Sequence, residues 1–268
     1  GGRRDLLLRL RLPGGGAVTI DRQMAAVLAV ATLLVTAGCA ATTSGTPPGL
    51  SEENVTDANA LVASHTDTLD SQSFTVEVTR TVTDPNGELN AHINGTYRFE
   101  PSGTVEGRIV TTTQLGTDPP QPYDQIAKER DAYRRGNVTY VRSVRGDNVT
   151  YRQTGLFNSS VTLGRALQRR TINALNERQN ATVEPVTVDG ERHYRIHAHL
   201  NDSQFRENAV LNLTVTSDGL VRELTFRRIV ALRNTQRLTT HVRVSRVGET
   251  TVKRPDWHQT ALNVTASG

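Results

Sequence analysis

One property of this 268-residue chain limits its fold more than any other: over most of its length, apolar and polar side chains alternate one by one. Phe74, Val76, Val78 and Val82 alternate with polar neighbours, Asp84-Pro85-Asn86-Gly87 turns the chain, and Leu89, Ala91, Ile93, Gly95, Tyr97 and Phe99 run back. Period two sends consecutive side chains to opposite faces of a strand, so the two runs read as a hairpin. Pro101-Ser102-Gly103 turns the chain again into Val105, Gly107 and Ile109. A proline-bearing break at 116–123 leads to a second set around Tyr133, Val138, Tyr140 and Tyr151, with Gly146-Asp147-Asn148 as a turn. Four more runs follow: Tyr194, Ile196, Ala198, Leu200; Leu211, Leu213, Val215; Leu220, Leu224, Phe226, Val230; and Leu238, Val242, Val244. Asp189-Gly190 and Ser217-Asp218-Gly219 supply turns among them. Short turns between alternating runs make neighbouring strands antiparallel.

Two stretches change to a helical period. Residues 56–71 place Ala58, Leu61, Val62, His65 and Leu69 on one stripe, with Thr56 as the expected N-cap and Asp57 in the first turn. Residues 160–176 do the same with Leu163, Ala166, Leu167, Thr171, Ala174 and Leu175, and Arg165, Arg169 and Arg178 lie around the polar side. Because each strand has one apolar and one polar face, the expected class is α+β: a long antiparallel sheet with about two amphipathic helices on its apolar side and water on the other.

The start of the chain reads as targeting rather than fold. Met24 to Gly38, MAAVLAVATLLVTAG, is an apolar run shorter than the ~20 residues a spanning helix needs, but suited to a signal-peptide core. It ends in Thr36-Ala37-Gly38-Cys39, which looks like a lipobox, and Cys39 is the sole cysteine. No intramolecular disulfide can form, and lipidation of Cys39 is the expected use of the thiol. Arg3-Arg4-Asp5-Leu6-Leu7 resembles a twin-arginine export signal. The formal charge of +4 vanishes on inspection: beyond Cys39 stand 26 basic and 25 acidic residues, so nucleic acid is not an expected partner. The segments are therefore 1–39, an export leader; 40–50, a flexible small and polar tether; 51–258, one folded domain; and 259–268, a tail.

Nine Asn-x-Ser/Thr sites occur, at Asn54, Asn94, Asn137, Asn148, Asn158, Asn180, Asn201, Asn212 and Asn263. Chance for this composition gives about three. The excess points to an exported, glycosylated surface, and Asn94 and Asn212 alternate with the apolar residues of their strands.

To the lipobox and tether add the first helix, NVTDANALVASHTDTL; the strand SFTVEVTRTV; Asn-Val-Thr-Tyr repeated at Asn137 and Asn148; VTVDGERHYRIHAHL; LTVTSDGLVRELTF; and RPDW from Arg254 to Trp257. Together these resemble the haloarchaeal cell-surface lipoproteins of a domain-of-unknown-function family, over about residues 34–257. More distantly the pattern is similar to the half-barrel carriers represented by the bacterial outer-membrane lipoprotein carrier and the mycobacterial lipid-binding lipoproteins. The resemblance implies a curved sheet, a half-barrel, whose concave face is covered by helices and holds acyl chains.

No G-x-S-x-G, H-E-x-x-H, P-loop or G-x-G-x-x-G sequence is present, so neither an enzyme nor a cofactor is expected. His193, His197 and His199 share one strand face but read as a solvated outer surface, and no metal is expected there. Arg145-Gly146-Asp147 reads as a hairpin turn, His65 as a core histidine, and Trp257 as packing at the sheet end. The expected function is a membrane-tethered protein on the extracellular face that binds or carries an apolar molecule such as a lipid. Its pocket would be lined by Phe74, Val76, Val78, Ile93, Tyr97, Phe99, Ile109, Tyr140, Ile196, Leu224, Phe226 and Val242, with Leu163 and Leu167 on a helical lid. Small residues at Ala91, Gly95, Gly107 and Ala198 would leave the space unfilled. The alternative is a glycosylated envelope-structural or protein-interaction module with a closed core.

Overall fold

The computed structural model describes residues 45–100, 106–117, 126–154, 169–177, 181–200, 209–231 and 235–266. All belong to the unit Ser44–Gly268; the unit Gly1–Thr43, and with it the expected leader and Cys39, lies outside the described residues. The elements run α1 (Ala58–Ser71), β1 (Phe74–Thr83), β2 (Leu89–Phe99), β3 (Glu106–Leu115), β4 (Glu129–Arg135), β5 (Val138–Arg145) and β6 (Asn148–Thr154). Then come α2 (Arg169–Asn173) with a 3-10 turn (Ala174–Glu177), β7 (Ala181–Val188), β8 (Glu191–Leu200), β9 (Ala209–Thr216), β10 (Val221–Ala231), β11 (Thr235–Ser245) and α3 (His258–Ala266).

The strands form one curved, unclosed antiparallel sheet in the order β6-β5-β4-β3-β2-β1-β11-β10-β9-β8-β7. The first and last strands in sequence meet at its centre, with Val76 opposite Val244 and Val78 opposite Val242. Two meanders extend from that seam, and β6 and β7 are the edges. β7 was not foreseen; Pro185 lies within it, and an edge strand tolerates the missing donor.

We call the face carrying Phe74 and Val76 the inner face. Over β7–β11 its residues form the core: Ile196, Leu213, Leu224 and Val242 stand in register, buried, and α1 with the 3-10 turn lies against them. The buried stripe of α1 is Ala58, Leu61, His65 and Leu69, as its period required. Its N-cap is Asp57 and not Thr56: Asp57 Oδ1 accepts from the N–H groups of Asn59 (2.8 Å) and Ala60 (3.2 Å), while Thr56 donates its own N–H to Gly49 (2.9 Å). Asn176 Oδ1 accepts the first helical N–H, from Ala58, at 2.7 Å, which fastens the 3-10 turn to α1. The expected helix 160–176 is described only from Arg169, where it is a short α-helix passing into the tighter turn, with Ile172 and Leu175 buried.

Water does not hold the whole outer face. The last residues, expected as a tail, form α3, and α3 packs on the outer side of β5 and β6. His258 stands edge-on to Tyr133 (5.1 Å between centroids, 81°) and Tyr140 (4.8 Å, 87°), making a second small aromatic core. Its anchor is Asp131, 4% exposed, whose carboxylate accepts from Arg108 Nε (3.1 Å) and Nη2 (2.7 Å) and from Trp257 Nε1 (2.8 Å). Trp257 thus packs at the sheet end as its sequence position suggested.

Candidate functional site

The expected apolar pocket is divided by the structure. Phe74, Val76, Ile196, Leu224, Phe226 and Val242 are buried members of the core cluster, with Val78, Tyr97 and Phe99 packed against it. Leu163 and Leu167 lie outside the described residues. Tyr140 sits on the outer face against His258. Gly95 and Gly107 are each covered by a neighbouring ring. A Cβ built on Gly95 would lie 2.8 Å from the Tyr97 ring, and one on Gly107 would lie 3.4 Å from the Phe99 ring, so each aromatic already covers the glycine beside it. Ala91 and Ala198 are fully buried.

Of the expected lining, Ile93 and Ile109 remain on the inner face of the other half, where neither α1 nor α3 reaches. That half has a different character. Register carries one cross-strand row through Gly95, Thr111, Arg130, Ser143 and Thr150, and its neighbour through Tyr97, Ile109, Ala132, Val141 and Arg152. Arg145 pairs with Asn148 where β5 turns into β6, around Gly146 at φ +57°. The turn reading of Arg145-Gly146-Asp147 therefore holds, and the turn also delivers an arginine to the inner face.

Thr111, Arg130, Ser143 and Thr150 of the first row and Arg152 of the second take part in a cleft of about 550 Å3, within the usual range for small-molecule sites. Ile93, Ile126 and Ala127 form an apolar wall; Thr111, Thr113, Ser143 and Thr150 supply hydroxyls; Arg130, Arg145 and Arg152 supply guanidiniums. Among the described residues of the lining there is no carboxylate. The cleft is graded in depth: Thr113 is buried, Arg130 half-buried, and Arg145, Asn148, Thr150 and Arg152 are exposed along the β6 rim. Burial, and after it the Arg152 charge, lowers the pKa of Arg130, so the two guanidiniums repel across the floor. A guanidinium offers a planar fork of donors matched to carboxylate or phosphate, and an anion between these arginines would relieve that repulsion. Nothing in the sequence singles the cleft out: Arg130 stands between Glu129 and Asp131, Arg152 before Gln153 and Arg145 at a turn, which is also how charges on a solvated surface read.

The acceptor asparagines are placed as follows. Asn54, Asn94, Asn137, Asn148 and Asn263 are exposed, Asn212 is half-buried, and Asn158, Asn180 and Asn201 lie outside the described residues. Asn94 accepts from Thr79 Oγ1 through its carbonyl oxygen (3.1 Å). His65 is a core residue, its Nδ1 accepting the Val221 N–H at 3.2 Å. No helix among the described residues is long and apolar enough to cross a membrane, and none of their His, Cys, Asp and Glu side chains assemble three or more around a point.

No protein-family model and no curated protein matches the sequence. Among solved structures the chain is similar to LprF from Mycobacterium bovis, at 12% identity and a TM-score of 0.40, covering 74% of this chain and 96% of that one. It is also similar to a DUF1329 family protein from Desulfovibrio piger, at 13% identity and a TM-score of 0.28, over 75% and 95% of the two chains. A domain assigned to outer-membrane lipoprotein sorting, from Vibrio parahaemolyticus, is similar at 7% identity and a TM-score of 0.24, over 78% and 99%. These are likenesses of outline between distant sequences, and the chemistry of the cleft has to come from its own residues.

Proposed function

We propose that this protein is a membrane-tethered, extracytoplasmic binding protein that takes an anionic amphiphile by its head group in the inner-face cleft, without covalent chemistry. The observation that carries the reading is the described lining itself: three arginines and four hydroxyls beside a wall of Ile93, Ile126 and Ala127. The apolar part of the ligand lies along Ile93, Ile126 and Ala127, because the apolar residues of the β7–β11 half are already occupied by α1 and the 3-10 turn. The tether is Cys39, lipidated after removal of the apolar leader, and exposed sequons outside the cleft, Asn94 and Asn137 among them, carry glycans.

A fluorescent long-chain fatty acid, its methyl ester and an alkyl phosphate of equal chain length test this. The acid and the phosphate bind and compete with each other; the ester, with the same chain and no charge, binds at least tenfold more weakly. Replacing Arg130 or Arg152 by Gln weakens the acid by about 10- to 100-fold, the range for one hydrogen bond to a charged group. Equal binding of acid and ester, or unchanged binding by both variants, overturns the reading. The closed half of the sheet favours a second one, a glycosylated envelope-structural or protein-interaction module, which stands if none of the probes binds.

A further inference from the structure

On the outer face of β8, away from the cleft, His197 and His199 bring their Nε2 atoms to 3.3 Å of each other, with the rings crossed at 86°. Both side chains are exposed, two residues apart on one strand face. On the neighbouring strand β9, Asn212 stands opposite His197, and its carbonyl oxygen lies 2.7 Å from His197 Nδ1. An amide oxygen only accepts, so that contact places the His197 proton on Nδ1 and leaves the Nε2 lone pair facing His199 Nε2. His193, on the same face, is not part of the pair: it lies four residues back along the strand, is 6% exposed, and has its Nδ1 3.2 Å from the Glu191 carbonyl.

We propose that His197 and His199 form a zinc-class metal site on the outer face, with Asn212 as the positioning residue. Two imidazole nitrogens at 2.0–2.1 Å from one tetrahedral ion are about 3.3–3.4 Å apart, which is the separation present here. A square-planar ion at the same bond length would need its adjacent nitrogens at about 2.9 Å, so a tetrahedral ion requires the smaller rearrangement of the pair. In the metal-free protein one proton bridges the two Nε2 atoms. On binding, that proton moves to Nδ1 of His199, both Nε2 lone pairs face the ion, and water fills the two remaining positions. The Asn212 contact is the second-shell hydrogen bond that metal-bound histidines use to fix tautomer and ring orientation. Because Asn212 is on β9, a bound ion also braces β8 against its neighbour.

The test is calorimetric titration of the full chain, with the Cys39 thiol alkylated, using zinc chloride. Cobalt(II) chloride is the spectroscopic probe, since a tetrahedral cobalt ion absorbs visible light far more strongly than an octahedral one. One zinc ion binds per chain, and cobalt gives the intense tetrahedral bands. His197→Ala and His199→Ala each weaken binding by at least tenfold. Asn212→Ala, which keeps both ligands, weakens it by about tenfold, and His193→Ala leaves it unchanged. Zinc also raises the thermal midpoint of the wild type and of His193→Ala, and does not raise that of the two ligand variants. Binding that survives loss of both His197 and His199, a weak octahedral cobalt spectrum, or an Asn212→Ala affinity equal to wild type overturns the proposal. Circular dichroism of each variant distinguishes a lost ligand from a lost fold.

Discussion

Lowering the pH should destabilise this protein through His65. The side chain is 1% exposed on α1, and its Nδ1 accepts the backbone N–H that begins β10, at 3.2 Å. A second proton would set an N–H against that N–H in a dry environment. Burial first, and the Arg169 charge second, lower its pKa from the ordinary 6.5 to about 4. The native state therefore binds the proton more weakly than the unfolded chain. Stability is fully present above pH 6.5, falls as pH drops through the range between the two values, and stops falling on this residue's behalf below about pH 4. The full interval of about 2.5 units corresponds to about 3.4 kcal/mol, and about 2 kcal/mol of it is lost between pH 7.5 and 5. His258 acts with the same sign, since burial and then Arg254 and Arg135 lower it too. Urea unfolding at pH 7.5 and 5 isolates the His65 share when the wild type is compared with His65→Gln, which keeps an acceptor and does not titrate. The variant should lose about 2 kcal/mol less than the wild type over this interval. If both lose the same amount, His65 is not the buried neutral base described above.

Three other outcomes follow from the same packing. Asp131→Ala strands Arg108 and the Trp257 N–H together and should cost about 2–4 kcal/mol, a buried-pair figure reduced because the Arg108 side chain is 27% exposed; loss of Trp257 fluorescence polarisation would show α3 detaching first. Gly95→Val forces the Tyr97 ring off the glycine it covers, at about 1–3 kcal/mol measured by urea unfolding, and should weaken fatty-acid probe binding because Thr111 in the cleft lies in the same cross-strand row. Cys39→Ser should release the protein from the membrane or leave an unprocessed precursor, read by detergent partitioning and intact mass; partitioning and processing like wild type would contradict the lipid anchor.

The strands were legible because alternation is a local property, and the paired runs from Phe74 to Phe99 and from Tyr194 to Val244 lie where period two predicts. The face of a strand relative to distant strands is not local. Tyr133 and Tyr140 look like a continuation of the Tyr97 and Phe99 face, yet the connection between β3 and β4 decides parity, and a slip of one residue reverses it. In the structure Ala132 and Val141 continue the inner face, and the tyrosines point outward to His258. On the sequence Tyr140 counts as pocket lining, and the residues of opposite parity, Arg130 and Arg152 among them, carry no expectation although they face the inner side.

The cleft is tested most directly by native mass spectrometry of protein purified from its own membrane in mild detergent, wild type beside Arg130→Gln/Arg152→Gln. Wild type should retain a single bound species that dissociates as an anion with an alkyl chain, and the double variant should fly without it. Wild type with no adduct, a neutral adduct, or the same anion held equally by the double variant would contradict an arginine-floored site for an anionic amphiphile.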